Sequence, residues 1–106
     1  MLCIRITLTR LVDPSYPGWV EFHFEDAAGN VNRFVEKVPV VTNADLDGNF
    51  VFPQAGVIAC REVSRRIRAD GREVVTIDTE LPWGIESATR RTQFDVLPEQ
   101  LENKYS

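Results

Sequence analysis

The stretch Gly56–Leu81, GVIACREVSRRIRADGREVVTIDTEL, decides the fold, because it reads as one long β-hairpin around which the other strands must pack. Two runs rich in β-branched residues flank Ala69-Asp70-Gly71. They can close through a two-residue turn centred on Asp70-Gly71, or through a three-residue loop with Gly71 in the left-handed conformation that a residue without Cβ adopts freely. The three-residue closure sets Val63 opposite Ile77, Arg65 opposite Val75 and Ala59 opposite Leu81. It gathers Val57, Ala59, Val63, Ile67, Val75 and Ile77 on one face, whereas the two-residue closure scatters them. A slip of one residue moves every side chain to the other face, so the apolar pattern favours the three-residue closure. The same register places Glu62 opposite Asp78, a mildly destabilising like-charge pair.

Outward from the hairpin, the period of two recurs. Leu2, Ile4, Ile6 and Leu8 alternate with polar residues, as do Val20, Phe22 and Phe24, and each set reads as the buried face of a strand. Asp13-Pro14-Ser15-Tyr16-Pro17-Gly18 forces a loop between them. Asp26 to Asn30 can close with Gly29 left-handed, which sets Phe22 against Phe34 at the start of a third strand over 31–38. A connection over 39–55 follows, with a short helix predicted from Thr42 to Gly48, capped by Thr42 and Asp45. Pro82 and Gly84 end the long hairpin. A sixth strand is predicted over 91–97, with Phe94 and Val96 inward, and Pro98 onward reads as a helical turn or a frayed tail.

Six strands with turn signals between them and almost no helical period predict an all-β, single-domain chain spanning residues 1–106. Edge strands must be hidden, so a small, six-stranded antiparallel, partly closed β-barrel is expected, with a β-sandwich as the alternative. No run of 18 apolar residues and no signal-peptide pattern is present, and the expectation is a cytoplasmic protein. Cys3 and Cys60 have no metal-ligand companions and read as reduced structural thiols, with a disulfide between them as the alternative. The net charge of −4 argues against general nucleic-acid binding.

The segments PGWVEFHFED (17–26), RFVEKVPVV (33–41), FPQAGVIAC (52–60), LPWGIES (81–87) and FDVLPEQL (94–101) resemble those of short bacterial proteins of uncharacterised function. At the level of fold type the chain is also similar to the β-barrel domains of elongation factor Tu. Neither resemblance brings a catalytic motif or a site.

Candidate chemistry is sparse. Asn43, Asp45, Asp47 and Gly48, with Gln54 at the twelfth position, approach the pattern of a calcium-binding EF-hand loop. Gln54 cannot supply the bidentate carboxylate, and no helices flank the segment, so it reads as a capped turn and no metal is expected. Glu62 and Asp78 could form a carboxylate pair with split pKa values, although Arg61 and Arg66 would neutralise it. His23 lies on the polar face of its strand with no predicted nucleophile or metal beside it, and no catalytic residue or cofactor is assigned.

A meander would place the connections 13–18, 39–55 and 82–89 at one end of the barrel and both tight turns at the other. Those connections carry Asp13, Asp45, Asp47 and Glu86 with no Lys or Arg, and they hold Tyr16, Phe50, Phe52 and Trp83, with Trp19 just beyond. Loops on a rigid scaffold commonly carry binding residues, and aromatic anchors dominate protein interfaces. The expected function is a non-enzymatic binding module of inhibitor or immunity type, engaging a basic protein partner through Tyr16, Trp19, Asp45, Asp47, Phe50, Phe52, Trp83 and Glu86. The second reading is a nucleic-acid-associated barrel using Arg61, Arg65, Arg66, Arg68 and Arg72, which lacks the aromatic platform that stacks bases.

Overall fold

A computed structural model describes residues 1–41 and 51–104. Its organising strand is β1 (Leu2–Asp13), whose alternation buries Ile4, Ile6 and Leu8. On one edge β1 pairs antiparallel with β2 (Trp19–Glu25), which in turn pairs with β3 (Val31–Lys37). A single helical turn, α1 (Val38–Val41), follows β3, with Pro39 in a first turn where its missing N–H costs nothing. The other edge of β1 takes β4 (Gln54–Ala59). The second sheet runs in the order β5 (Arg61–Ile67), β6 (Glu73–Asp78) and β7 (Gln93–Val96). After a 3-10 turn at Pro98–Gln100, β8 (Leu101–Asn103) pairs with Leu2–Ile4. Cys3 pairs with both Ala59 and Glu102, so β8 shares with β2 the edge of β1 that β4 does not use.

The chain is all-β as expected, with two antiparallel sheets and eight strands among the described residues rather than six. Two departures from the expected pairing lie within the long hairpin. The closure itself is the three-residue one: Gly71 has φ +84, the Arg68 N–H donates to the Arg72 carbonyl, and Arg65 faces Val75. A bulge at Val63 then shifts the strand by one, so Glu62 faces Ile77 and Arg61 faces Asp78. The expected pairs Val63 with Ile77 and Glu62 with Asp78 do not form, because the extra residue shifts the register by one and thereby separates the two carboxylates. Farther on, Ala59 pairs with Cys3 rather than Leu81, since β1 offers β4 a longer partner than β6 can. The expected common face is therefore divided. Val57, Ala59, Val75 and Ile77 are buried, while Val63 and Ile67 stand in solvent.

The third difference is β8, three residues with only Leu101 as an apolar signal. The predicted helix over 42–48 lies outside the described residues. At the β2–β3 turn the reading holds: Gly29 has φ +86, and the Asp26 carboxylate accepts the N–H groups of Ala28 (3.0 Å) and Asn30 (2.9 Å). Phe22 faces Phe34, their rings stacked 5.0 Å apart.

One core joins the two sheets. Phe24 of the first meets Phe94 of the second edge to face at 5.1 Å, and Ile4, Leu8, Phe22 and Phe34 are continuous with Val75, Ile77, Ile85 and Val96. Backbone hydrogen bonds tie the sheets at their margins. The Ala27 N–H donates to the Asp95 carbonyl (2.7 Å), and the Ala88 N–H donates to that of Arg33 (2.8 Å). No helix among the described residues is long and apolar enough to cross a membrane.

Candidate functional site

The loop between β1 and β2 is organised by its own polar groups. The Asp13 carboxylate accepts the Ser15 N–H at 2.9 Å, and the Gly18 N–H donates to the Ser15 carbonyl at 2.6 Å. Gly18 has φ +85 and a Cβ there would crowd Val38, so only glycine fits the turn and the close approach together. The Val38 N–H donates to the Gly18 carbonyl (2.9 Å), which fastens the loop to the end of β3. Tyr16 stands at its tip, 98% exposed. Trp19 opens β2 opposite Lys37, whose ammonium lies 5.8 Å from the ring centroid.

The connection between β6 and β7 is equally ordered. The buried Thr79 hydroxyl donates to the Ile85 carbonyl (2.7 Å), and the Ile85 N–H returns a bond to Thr79 (3.0 Å). Ile85 is buried in the core, and the Ala88 N–H fastens the far side of the loop to Arg33 of β3. Between these anchors Leu81, Trp83 and Glu86 are exposed, Trp83 at 36%.

Both loops are thus fixed to one strand, at Arg33 and just past Lys37. The solvent face of β1–β2–β3 carries Thr7, Trp19, Glu21, His23, Glu25, Arg33, Val35 and Lys37, by the alternation that buries Phe22, Phe24 and Phe34. His23 faces solvent as expected, between two shallow clefts. One, of about 250 Å³, is bounded by Arg5, Thr7 and Glu25, and the other, of about 310 Å³, by Thr9, Glu21 and Arg33. A hydrogen bond from Arg10 holds the Glu21 carboxyl below its ordinary range.

Of the other residues expected in the partner site, Phe52 is half-buried and packs against the core. Asp45, Asp47 and Phe50 lie outside the described residues, as does most of the calcium-like loop. Gln54, at that loop's twelfth position, lies in β4 and donates to the Val51 carbonyl (2.8 Å). Among the described residues no group of three or more His, Cys, Asp and Glu side chains could hold a metal ion.

The five arginines of the hairpin each meet a carboxylate. Arg65 lies 2.7 Å from both Glu62 and Glu73, Arg66 2.9 Å from Asp95, Arg68 2.9 Å from Asp70, Arg72 3.2 Å from Glu99, and Arg61 3.9 Å from Asp78. The Arg66 and Thr76 hydrogen bonds hold the Asp95 carboxyl below its ordinary range. The proposed Glu62–Asp78 carboxylate pair is absent, because the bulge turns Glu62 to Arg65 and gives Asp78 to Arg61 and Gln93. Arg66, Arg68 and Arg91 share a cleft of about 350 Å³ with Asp26 and Asp95. That juxtaposition of turn 26–30 with the second sheet has no local signal in the sequence. By contrast, the outward row Val31, Arg33, Val35 and Lys37 was available from alternation alone.

Comparison of the chain with protein-family models, with characterised proteins and with solved structures finds no match. The site's reading therefore rests on its own geometry.

Proposed function

We propose that this protein is a non-catalytic binding module that acts in the cytoplasm and engages another protein through the β1–β2 loop, the β6–β7 loop and the sheet face beside them. The observation that carries this reading is the display of Tyr16 and Trp83 to solvent on two loops whose backbones are fixed to β3 and to the residue that follows it. Their anchor points, Arg33 and Val38, are five residues apart, roughly 16 Å of extended chain, well within the footprint of an ordinary protein interface. Aromatic side chains held in advance lose little entropy on docking, which is what makes them anchors. Asp13, Glu80 and Glu86 on these loops outweigh Arg90 and Arg91 of the β6–β7 loop by one charge, a slight acidic excess that favours a basic partner by steering its approach. A partly open barrel is the form we infer for the scaffold, supported by the bend at Cys60 where the chain leaves β4 in one sheet for β5 in the other, a corner that orthogonally packed sheets share. The nucleic-acid reading draws less support, since every arginine of the hairpin lies beside a carboxylate that would repel phosphate.

The test begins with a partner recovered from the source cells and purified. Trp83→Ala should weaken its binding by about 2 kcal/mol, and Tyr16→Ala should weaken it as well, with circular dichroism unchanged. If Trp83→Ala unfolds the protein while the folded fraction binds normally, Trp83 is a structural plug and the reading fails.

A further inference from the structure

The outer edge of β5 is a bare strand edge. All seven residues of Arg61–Ile67 are exposed, and β6 pairs with one side only. The edges of β3 and β7 each give a carbonyl to a loop N–H, at Arg33 and Asp95, whereas among the described residues no loop backbone bond reaches β5. Unpaired backbone groups on an exposed strand are a template for another strand, and chains usually blunt such edges with projecting charges. Here the charges turn inward. Arg66 reaches across β6 to Asp95 on β7, and Arg65 is held between Glu62 and Glu73. What remains at the edge is backbone and two β-branched side chains, Val63 at 47% and Ile67 at 66% exposure.

We propose that β5 pairs antiparallel with β5 of a second copy of this chain, about a two-fold axis through Arg65, so that two three-stranded sheets become one of six strands. Arg65 and Ile67 lie on the face that carries Val75, and Val63 is the extra residue of the bulge beside Ser64. The two-fold axis at Arg65 sets Val63 opposite Ile67 of the second copy, twice over, and covers the apolar groups that a single copy leaves in water. The two Arg65 side chains meet at the axis, each already balanced by its own Glu62 and Glu73. An axis at Ser64 would set Val63 against Arg65, and one at Arg66 would set Ile67 against Arg65; an axis at Val63 or at Ile67 would match that one residue with itself and leave the other unmatched, so the Arg65 axis is the one that gives both an apolar partner. Self-complementarity of this kind selects a second copy over an unrelated strand. The bulge at Val63 confines the pairing to Val63–Ile67, and a two-fold contact uses the same edge on both copies, so the assembly closes at two. This contact is separate from the loops of the proposed partner site.

Sedimentation velocity on the full chain over a concentration series, with hydrogen exchange of the Val63–Ile67 amides, tests it. A monomer–dimer equilibrium is expected, with these amides gaining protection as dimer forms. Ile67→Lys and Val63→Lys should each weaken self-association about tenfold, while Val35→Lys on β3 leaves it unchanged. Ile67 is solvent-exposed in a single copy, so its replacement should leave thermal unfolding of the dilute protein in place. Should Ile67→Lys nonetheless fail to fold, Val63→Lys decides. A monomer at every concentration, or a dimer that survives both lysine variants, overturns the proposal.

Discussion

Cys3 and Cys60 show how position by position the environment sets chemistry. The Cys60 N–H donates to the Leu2 carbonyl and Cys3 faces Ala59, so the two cysteines are offset by one along the β1–β4 ladder. Successive side chains point to opposite faces, and Cys60 joins the core while Cys3 lies on the other side. That offset leaves both thiols free, and the alternative of a Cys3–Cys60 disulfide is not realised. Burial first, and the neighbouring Cys3 second, push the Cys60 thiol up to about 12, and burial raises Cys3 as well. The thiolate is the reactive form, so neither residue should be modified by iodoacetamide at pH 8 in the native protein. In denaturant both should react fully, as mass spectrometry would show. Rapid labelling of native protein at either position would contradict the buried placement.

The two strands of the long hairpin make a sharp contrast at the scale of elements. β6 is central in its sheet and buries Val74, Val75 and Ile77, whereas β5 beside it buries nothing. Ile77 and Ile67 have the same side chain and lie ten residues apart, yet only Ile77 has the core around it. Ile77→Ala removes buried methyl groups and leaves a cavity, and should cost about 2–5 kcal/mol in urea denaturation. Ile67→Ala, measured in dilute protein, should lie within about 0.5 kcal/mol of the parent. A large loss at Ile67 would mean that β5 packs against more than the structure gives it.

Across the whole molecule the two sheets are held together through Phe24, Phe34 and Phe94. Phe94 lies 5.1 Å from Phe24 and 5.7 Å from Phe34, so a single aromatic residue from the second sheet closes on two from the first. A double-mutant cycle on Phe24 and Phe94 should return a coupling of about 0.5–1.5 kcal/mol, since edge-to-face rings interact beyond the area they bury. With one shared core, far-ultraviolet circular dichroism and tryptophan fluorescence should report the same unfolding midpoint. Coupling near zero, with two separate transitions, would mean that the sheets unfold as independent units.

Local pattern alone determined most of the strands and both tight turns. Alternation marked Ile4, Ile6 and Leu8 and the Phe22, Phe24 and Phe34 faces, and glycine's freedom at positive φ marked the closures at Gly29 and Gly71. Those signals are local because side-chain direction and backbone sterics act within a few residues. Tyr16 and Trp83 were legible as loop aromatics for the same reason, since Pro and Gly punctuate both loops. Tertiary structure alone decided that β4 leaves the hairpin at Cys60 to join β1, that the strand bulges at Val63, and that Leu101–Asn103 becomes a strand. It also decided that Arg66 meets Asp95, and that the loops bearing Tyr16 and Trp83 are fixed to β3 and to Val38 directly after it. Each of these depends on which distant edge or charge is within reach, and a strand's own residues carry no record of the edge that will be open beside them once the core has closed.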